Sequence, residues 1–189
     1  MTDQNESSLV SLTTRRTLML GAAAVFGSAA VVPGSARADD ESGVSHSAEA
    51  IHQEPVFAVA RQRVFEALTK AEQFEQIVQL SAAKRSGALG SEPAKISAEV
   101  GGMFKLFGGY ISGRHLELLP GERIVQAWRT GSWKPGEYSI VRFELREHGP
   151  GTKIIFDHLG FPQGQAEHLA SGWKGNYWEP LQKYLEQKK

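Results

Sequence analysis

The chain has 189 residues, with 21 lysines and arginines balanced by 21 aspartates and glutamates, and no cysteine. This length suits one domain with additional segments, and a hydrophobic share of 41% can supply a core, which excludes wholesale disorder. The zero net charge gives no general attraction to nucleic acid. The lack of cysteine excludes disulfides, thiolate nucleophiles and cysteine-ligated zinc.

The beginning of the chain has the order of an export signal. A polar start is followed by Arg15 and Arg16, then by the uncharged stretch 18–32, which is too short to span a membrane. Ala36 and Ala38 form a small-residue cleavage site. The paired arginines resemble a twin-arginine signal, which predicts export by the twin-arginine translocase, cleavage after Ala38 and a periplasmic location. The alternative is an N-terminal helix that belongs to the fold.

The remainder is expected to divide into a linker and one domain, with residues 1–38 as the signal. Residues 39–50 are small and polar, which predicts a flexible linker, and residues 51–189 form the domain. No apolar run in the mature chain is long enough for a stable membrane span. His46 and His52 lie near the linker and make a poor metal site, so no metal is expected.

Helical and strand patterns follow one another in a clear order. Residues 55–59 predict a short strand, and apolar spacings of three and four over 62–80 predict one helix or two short ones. After a loop at 81–93 the apolar period changes to two, which predicts antiparallel strands. These predicted strands are 94–100, 103–107, 110–119, 124–130, 138–146 and 152–159.

The chain closes with a long predicted helix, 166–187. Trp173 and Tyr177 lie on its apolar face at a spacing of four, whereas Trp178 is one step off that face and is expected to lie outside. Pro180 removes one amide hydrogen bond and clashes with the preceding turn, so we expect a kink there.

A strand-rich middle between helices predicts an α+β fold. An antiparallel sheet needs one face covered, and the C-terminal helix, with its aromatic stripe, is the natural cover. A curved sheet that grips a helix can leave a cavity between the two. The sequence therefore predicts a candidate ligand cavity at this interface.

The candidate cavity residues are mostly aromatic and lie on the predicted inner faces. Their functional interpretation is a concave, mostly apolar ligand site with few polar groups, and the alternative is an ordinary packed core. They are Phe104, Trp128, Trp133, Phe143, Phe156, His158, Trp173 and Tyr177.

His158 is the polar member of this set. Strand alternation places it on the inner face and its neighbour Asp157 on the outer face, so the two cannot form a catalytic dyad. A neutral imidazole there could bind a ligand or act as a general base; the alternative is a core histidine bonded to a backbone carbonyl. Because the register around Gly113 is open, Arg114 or His115 could also enter the cavity. No catalytic residue is assigned.

Several motifs occur in the order found in one known family. They are 64–68 (VFEAL), 101–107 (GGMFKLF), 111–113 (ISG), 119–125 (LPGERIV), 128–129 (WR), Trp133 with Pro135, 151–152 (GT), 160–162 (GFP) and 172–173 (GW). Over most of residues 54–185 the chain resembles the activator of heat-shock protein 90 ATPase homologue family, of the START-like or helix-grip superfamily. The resemblance implies a curved antiparallel sheet wrapped around a long C-terminal helix, with a helix pair after the first strand.

The resemblance also implies three functional alternatives. Many superfamily members bind apolar small molecules between sheet and helix, so the leading hypothesis is an exported domain that binds a small apolar molecule or a protein client. The second is a chaperone-accessory or interaction module like the family's namesake, although the namesake's separate N-terminal domain has no match here. The third is an enzyme of the cyclase or dehydratase type, which is less expected. No cofactor motif and no basic stripe for nucleic acid are present.

Overall fold

The computed structural model describes residues 49–187. The predicted export signal and its cleavage site lie outside these residues, as does most of the predicted linker. Ala50, the last residue of that linker, already begins a strand. The domain boundaries and the signal therefore remain predictions.

The described residues form an α+β helix-grip fold, as predicted. The strands are β1 (Ala50–Gln53), β2 (Val56–Phe57), β3 (Lys95–Ile96), β4 (Met103–Leu106), β5 (Ile111–Leu119), β6 (Arg123–Thr130), β7 (Ser139–His148) and β8 (Gly151–Leu159). The helices are α1 (Arg61–Thr69), α2 (Ala71–Gln79), α3 (Ala82–Arg85), α4 (Ala166–Trp173), a π-helical turn (Lys174–Trp178) and α5 (Glu179–Gln187).

The strands form one antiparallel sheet in the order β1-β8-β7-β6-β5-β4-β3, and β2 also pairs with β8. The predicted alternation is confirmed in its two longest hairpin strands. Val141, Phe143 and Leu145 of β7 are buried, and so are Phe156 and His158 of β8. Their shared face packs against the C-terminal helix, which consists of α4, the π-helical turn and α5. The core lies between the two.

The helical stretch 62–80 consists of two helices. They are separated at Lys70, whose backbone is extended and whose N–H donates to the carbonyl of Glu66. Part of the loop predicted at 81–93 is the short helix α3, which Ser81 caps by accepting a hydrogen bond from the N–H of Lys84 at 3.1 Å. This turn is too short to produce a periodic apolar signal.

Both edges of the sheet differ from the prediction. The strand expected at 94–100 is only the two-residue β3, and Val100 is 64% exposed. At the other edge, β1 was not predicted. It pairs with the end of β8, where Ala50 faces Leu159, more than a hundred residues away in sequence. Local periodicity cannot reveal a short edge strand defined by so distant a partner.

We predicted a kink at Pro180; the structure has a π-helical turn, Lys174–Trp178, directly before α5, the helix that contains Pro180. The position predicted for Trp178 was wrong, because it is 8% exposed and lies inside the core. A π-helical turn aligns residues five apart rather than four apart. Trp173 and Trp178 accordingly stack at 5.8 Å with their planes 21° apart. None of the helices within 49–187 is long and apolar enough to cross a membrane.

Candidate ligand site between the sheet and the C-terminal helix

A cavity of about 140 Å³ lies between the sheet and the C-terminal helix. The sheet contributes Trp128 from β6 and Ile111 from β5, and the helix contributes Leu169, Trp173 and Tyr177. All five side chains are buried. They form an apolar floor because alternate residues of each strand, and every third or fourth residue of the helix, face the interface.

The rim of the cavity is polar. The hydroxyl groups of Tyr110 and Ser132 lie 3.2 Å apart, and that of Ser132 lies 2.8 Å from the hydroxyl of Thr130. Gln165, His168 and Asn176 are the other polar lining residues, and the side-chain oxygen of Gln165 accepts a hydrogen bond from the indole N–H of Trp133 at 2.8 Å. No carboxylate, lysine or arginine is among the lining residues that the structure describes.

Of the eight residues predicted for the cavity, three line it: Trp128, Trp173 and Tyr177. The other five are buried elsewhere in the interior. They are Phe104, Trp133, Phe143, Phe156 and His158.

Other lining residues were missed. Leu169 could have been found, because it precedes Trp173 by four residues on the same helical face. Phe107 follows β4 with a φ of 53°, so strand alternation gave no signal for its direction. Ser132 lies in a turn and carries no periodic signal, whereas Asn176 shares the helical face of Trp173 but is polar and so does not belong to the apolar pattern.

His158 belongs to a chain of hydrogen bonds that uses both of its ring nitrogens. The indole N–H of Trp173 donates to its Nδ1 at 3.0 Å, and its Nε2 lies 2.7 Å from the hydroxyl of Ser139. That hydroxyl donates to the carbonyl of Trp128 at 3.0 Å, so the proton between His158 and Ser139 belongs to Nε2. The chain therefore assigns the Nε2–H tautomer and leaves neither ring nitrogen free for a ligand.

Burial lowers the pKa of His158 to about 3, because a charged imidazole would be deprived of water. The ring is consequently neutral at ordinary pH and accepts the Trp173 hydrogen bond. This arrangement matches the core-histidine alternative, although its partners are side chains rather than a backbone carbonyl. Asp157 lies on the outer face, where it accepts hydrogen bonds from Arg142 at 2.6 Å and pairs with His52 at 2.8 Å.

Aromatic rings fill the space around His158 and Trp173. The Trp173 ring lies 4.5 Å from Phe156 and 5.9 Å from Phe143, measured between ring centroids. Trp178 packs on Phe156 at 5.0 Å. Pairs of this geometry add roughly 0.5–1.5 kcal/mol beyond their burial. This side of the helix is therefore a tightly packed core.

The cavity side contains two polar atoms without partners. Trp128 Nε1 and the Tyr177 hydroxyl are both buried and make no hydrogen bond. Burial raises the pKa of Tyr177, and the nearby Trp128 indole opposes that shift without forming a hydrogen bond of acceptable geometry. Buried polar groups are usually satisfied, so two orphans on adjacent lining residues are unusual.

Neither of the two candidates next to Gly113 lines the cavity. A register shift between His115 and Glu117 bends β5; Arg114 is exposed and His115 is buried. The His115 ring lies against Phe104 at 5.3 Å, and its Nδ1 is 3.5 Å from the amide nitrogen of Gln126. Burial lowers its pKa to about 4, but it does not line the cavity.

The family model and the individual relatives that match this chain carry the same description. The family model described as "Activator of Hsp90 ATPase homolog 1-like protein" matches residues 58–186. Activator of 90 kDa heat shock protein ATPase homolog 1 from Homo sapiens is 29% identical over 89 residues, which is 47% of this chain and 26% of that protein. The Dictyostelium discoideum homolog is 39% identical over 79 residues, 41% of this chain and 21% of that protein. The matched part of the chain thus spans about a quarter of these relatives.

Solved structures support the same fold. An HSP90 activator from Plasmodium falciparum superposes with a TM-score of 0.63 at 24% identity, covering 72% of this chain and 96% of that chain. A protein from Mesorhizobium loti superposes with a TM-score of 0.59 at 19% identity, covering 75% and 99%. At these identities the likeness concerns the fold.

Proposed function

The chain belongs to the family of Activator of Hsp90 ATPase homolog 1-like proteins, and we propose that it is an exported member that binds a small apolar molecule between its sheet and its C-terminal helix. The observation that carries the proposal is the cavity of about 140 Å³ bounded by Trp128, Trp173 and Tyr177. Concave sites with an apolar floor and a few polar groups at the rim are typical of small-molecule binding.

A pocket-filling variant tests ligand binding. Gly172 lines the cavity, and a Cβ added there would meet no atom within 4 Å. Gly172→Leu therefore places a side chain into open space, and leucine favours the helix by about 1 kcal/mol relative to glycine. We expect the variant to fold and to lose the ligand.

The measurement is mass spectrometry of an organic extract from protein purified from its own host. Ser171→Leu is the matched control, because Ser171 is exposed on the same turn and does not line the cavity. The proposal expects one stoichiometric compound with the wild type and with Ser171→Leu, and none with Gly172→Leu. Equal retention by all three proteins, or a wild type without bound compound, would contradict it.

Export is tested separately. Arg15→Lys together with Arg16→Lys keeps the charge but removes the paired guanidinium groups. We expect the variant to accumulate in the cytoplasm uncleaved, as seen by fractionation and by the mass of the N-terminal peptide. Mature protein beginning at Asp39 in the periplasm of the variant strain would overturn the twin-arginine proposal.

A second candidate function is a protein-interaction module. It is favoured by a row of paired positions across the outer face of the sheet, which runs through six strands and is apolar except at Arg114. The row consists of Met103, Arg114, Ala127, Ile140, Leu159 and Ala50. Met103, Ile140 and Leu159 are exposed, and exposed apolar side chains grouped on one face are typical of interaction sites.

Site-specific photo-crosslinking in the host tests this second function. A crosslinker at Met103 and another at Leu159, near opposite ends of the row, should capture the same partner. Lys183, exposed on α5, is the control position and should not capture it. Different proteins at the two ends, or the same protein at all three positions, would reject the row as an interface. No described feature of the cavity specifically favours the third alternative, an enzyme.

A further inference from the structure

We infer that the molecule bound in the cavity is a neutral, single-ring aromatic compound that carries a hydrogen-bond acceptor oxygen. The inference rests on the proposed binding function and specifies the chemistry of its ligand. Size, the shape of the walls, the absence of charge and the unpartnered donors each restrict that chemistry.

The volume restricts the ligand to about one ring. A cavity of about 140 Å³ is close to the roughly 150 Å³ engineered cavity that accommodates benzene. It is below the roughly 300–1,000 Å³ typical of sites for drug-sized molecules.

The walls favour an aromatic ring over an aliphatic one. Trp128 and Trp173 have ring centroids 5.5 Å apart, and Tyr177 lies 4.2 Å from Trp173 and 5.3 Å from Phe107. All four rings line the cavity. A further aromatic ring among them gains edge-to-face and offset contacts in addition to its burial.

Charge is excluded by what surrounds the ligand. No lysine, arginine, aspartate or glutamate is found among the described lining residues. His168 also lines the cavity, but it is exposed. A carboxylate or ammonium group buried among the rings of Trp128, Trp173 and Tyr177 would therefore lose its hydration without an opposite charge beside it, which is strongly unfavourable. The ligand is therefore neutral at the pH at which it binds.

The unpartnered groups specify the oxygen. Trp128 Nε1 can only donate, and the Tyr177 hydroxyl can donate to an acceptor. Both belong to residues that line the cavity, and both are buried without a partner in the protein. An oxygen atom on the ring would accept from them and remove the cost of leaving them unsatisfied.

Two pairs of matched probes test the inference by isothermal titration calorimetry. Phenol and toluene have the same number of heavy atoms, but only phenol carries an oxygen. Acetophenone and benzoate also match in size, but only benzoate is charged at neutral pH. We expect phenol, toluene and acetophenone to bind and benzoate not to bind.

The hydrogen bond from the Tyr177 hydroxyl to the ligand is tested with Tyr177→Phe, which removes only that hydroxyl group. It should weaken phenol binding about tenfold, the equivalent of one net hydrogen bond, and leave toluene binding unchanged. Tyr184→Phe is the matched control, because the Tyr184 hydroxyl donates to Gln73 at 3.2 Å and Tyr184 does not line the cavity. The control should change neither affinity.

Three results would overturn the inference. One is an equal effect of Tyr177→Phe on phenol and toluene, or no effect on either. Another is benzoate binding as tightly as acetophenone. The last is binding of 1-decanol without binding of any aromatic probe; in that case the proposed apolar-ligand function would stand. If neither 1-decanol nor any aromatic probe bound, the proposed function would fail as well.

Discussion

The two sides of the helix–sheet interface belong to the same sheet and contain the same kind of residue, yet they differ in packing and in how many of their polar atoms are hydrogen-bonded. The closed half lies on β7 and β8, and the cavity half on β5 and β6. In the closed half, around His158, Phe143, Phe156 and Trp178, aromatic rings are in mutual contact and both His158 nitrogens are bonded. In the cavity half, around Trp128 and Tyr177, about 140 Å³ remains open and two buried polar atoms have no partner.

This difference shows that aromatic content does not distinguish a core from a binding site. Trp173 belongs to both halves: it donates to His158 on one side and lines the cavity on the other. What separates the halves is whether each polar atom has a partner and whether each ring is surrounded by atoms. We interpret the closed half as the part that stabilises the fold and the cavity half as the part that binds.

The largest loss of stability is expected from a substitution in the closed half. Trp173→Ala removes the ring that packs on Phe156 and leaves His158 Nδ1 without its donor. We expect the free energy of unfolding to fall by about 3–5 kcal/mol, the usual cost for a large buried aromatic residue. Urea denaturation followed by circular dichroism measures this loss. A loss below about 1 kcal/mol, the scale of an ordinary surface substitution, would place Trp173 on a cavity wall only.

Acid should also destabilise the fold, through His158 in the closed half and through His115, which packs on Phe104. The pKa of His158 is about 3 and that of His115 about 4 in the folded protein, against about 6.5 in the unfolded chain. Below pH of about 6.5 the unfolded state binds more protons than the folded state, so stability falls as the pH is lowered toward these folded values. Each histidine contributes a slope approaching about 1.4 kcal/mol per pH unit.

The free energy of unfolding is to be measured at a series of pH values for the wild type and for His158→Leu. This variant has lower stability at neutral pH, because the Trp173 indole N–H loses its acceptor at a cost of about 1–3 kcal/mol. Its pH slope should be shallower between pH of about 6.5 and 3, because the contribution of His158 is gone while those of the other shifted groups remain. An unchanged slope in the variant would show that His158 does not titrate as its burial implies.

A smaller change in stability is expected from a substitution in the cavity half. In ligand-free protein, Tyr177→Phe removes a buried hydroxyl that has no partner, so stability should rise by about 1 kcal/mol. Tyr184→Phe deletes the same group where it is bonded to Gln73, so stability should fall by a similar amount. Thermal unfolding of the two variants gives the comparison. A loss of stability in both variants would show that the Tyr177 hydroxyl is hydrogen-bonded.

Much of this architecture could be predicted from the sequence because its signals are local. Alternation along β7 and β8 identified the inner faces, including buried Phe156 and His158. The spacing of Trp173 and Tyr177 identified the inner face of the C-terminal helix. These patterns depend only on strand and helix periods.

The rest depends on distant partners or on irregular backbone. Strand β1 is defined by its pairing with β8, and Trp178 enters the core only because the π-helical turn changes the period of the helix. The division into a closed half and a cavity half was not predictable, because it depends on hydrogen bonds between residues such as Ser139 and His158 on different strands. Both halves are rich in aromatic residues, so composition alone could not distinguish them.

The most direct test of the central claim is a high-resolution crystal structure of the protein purified from its own host. Our account predicts non-protein density in the cavity half, in contact with Trp128 and Tyr177. It also predicts that His158 remains bonded to Trp173 and Ser139, as in the closed half described above. An empty site, with the lining collapsed and the Trp128 and Tyr177 polar atoms bonded to other protein groups, would contradict the account.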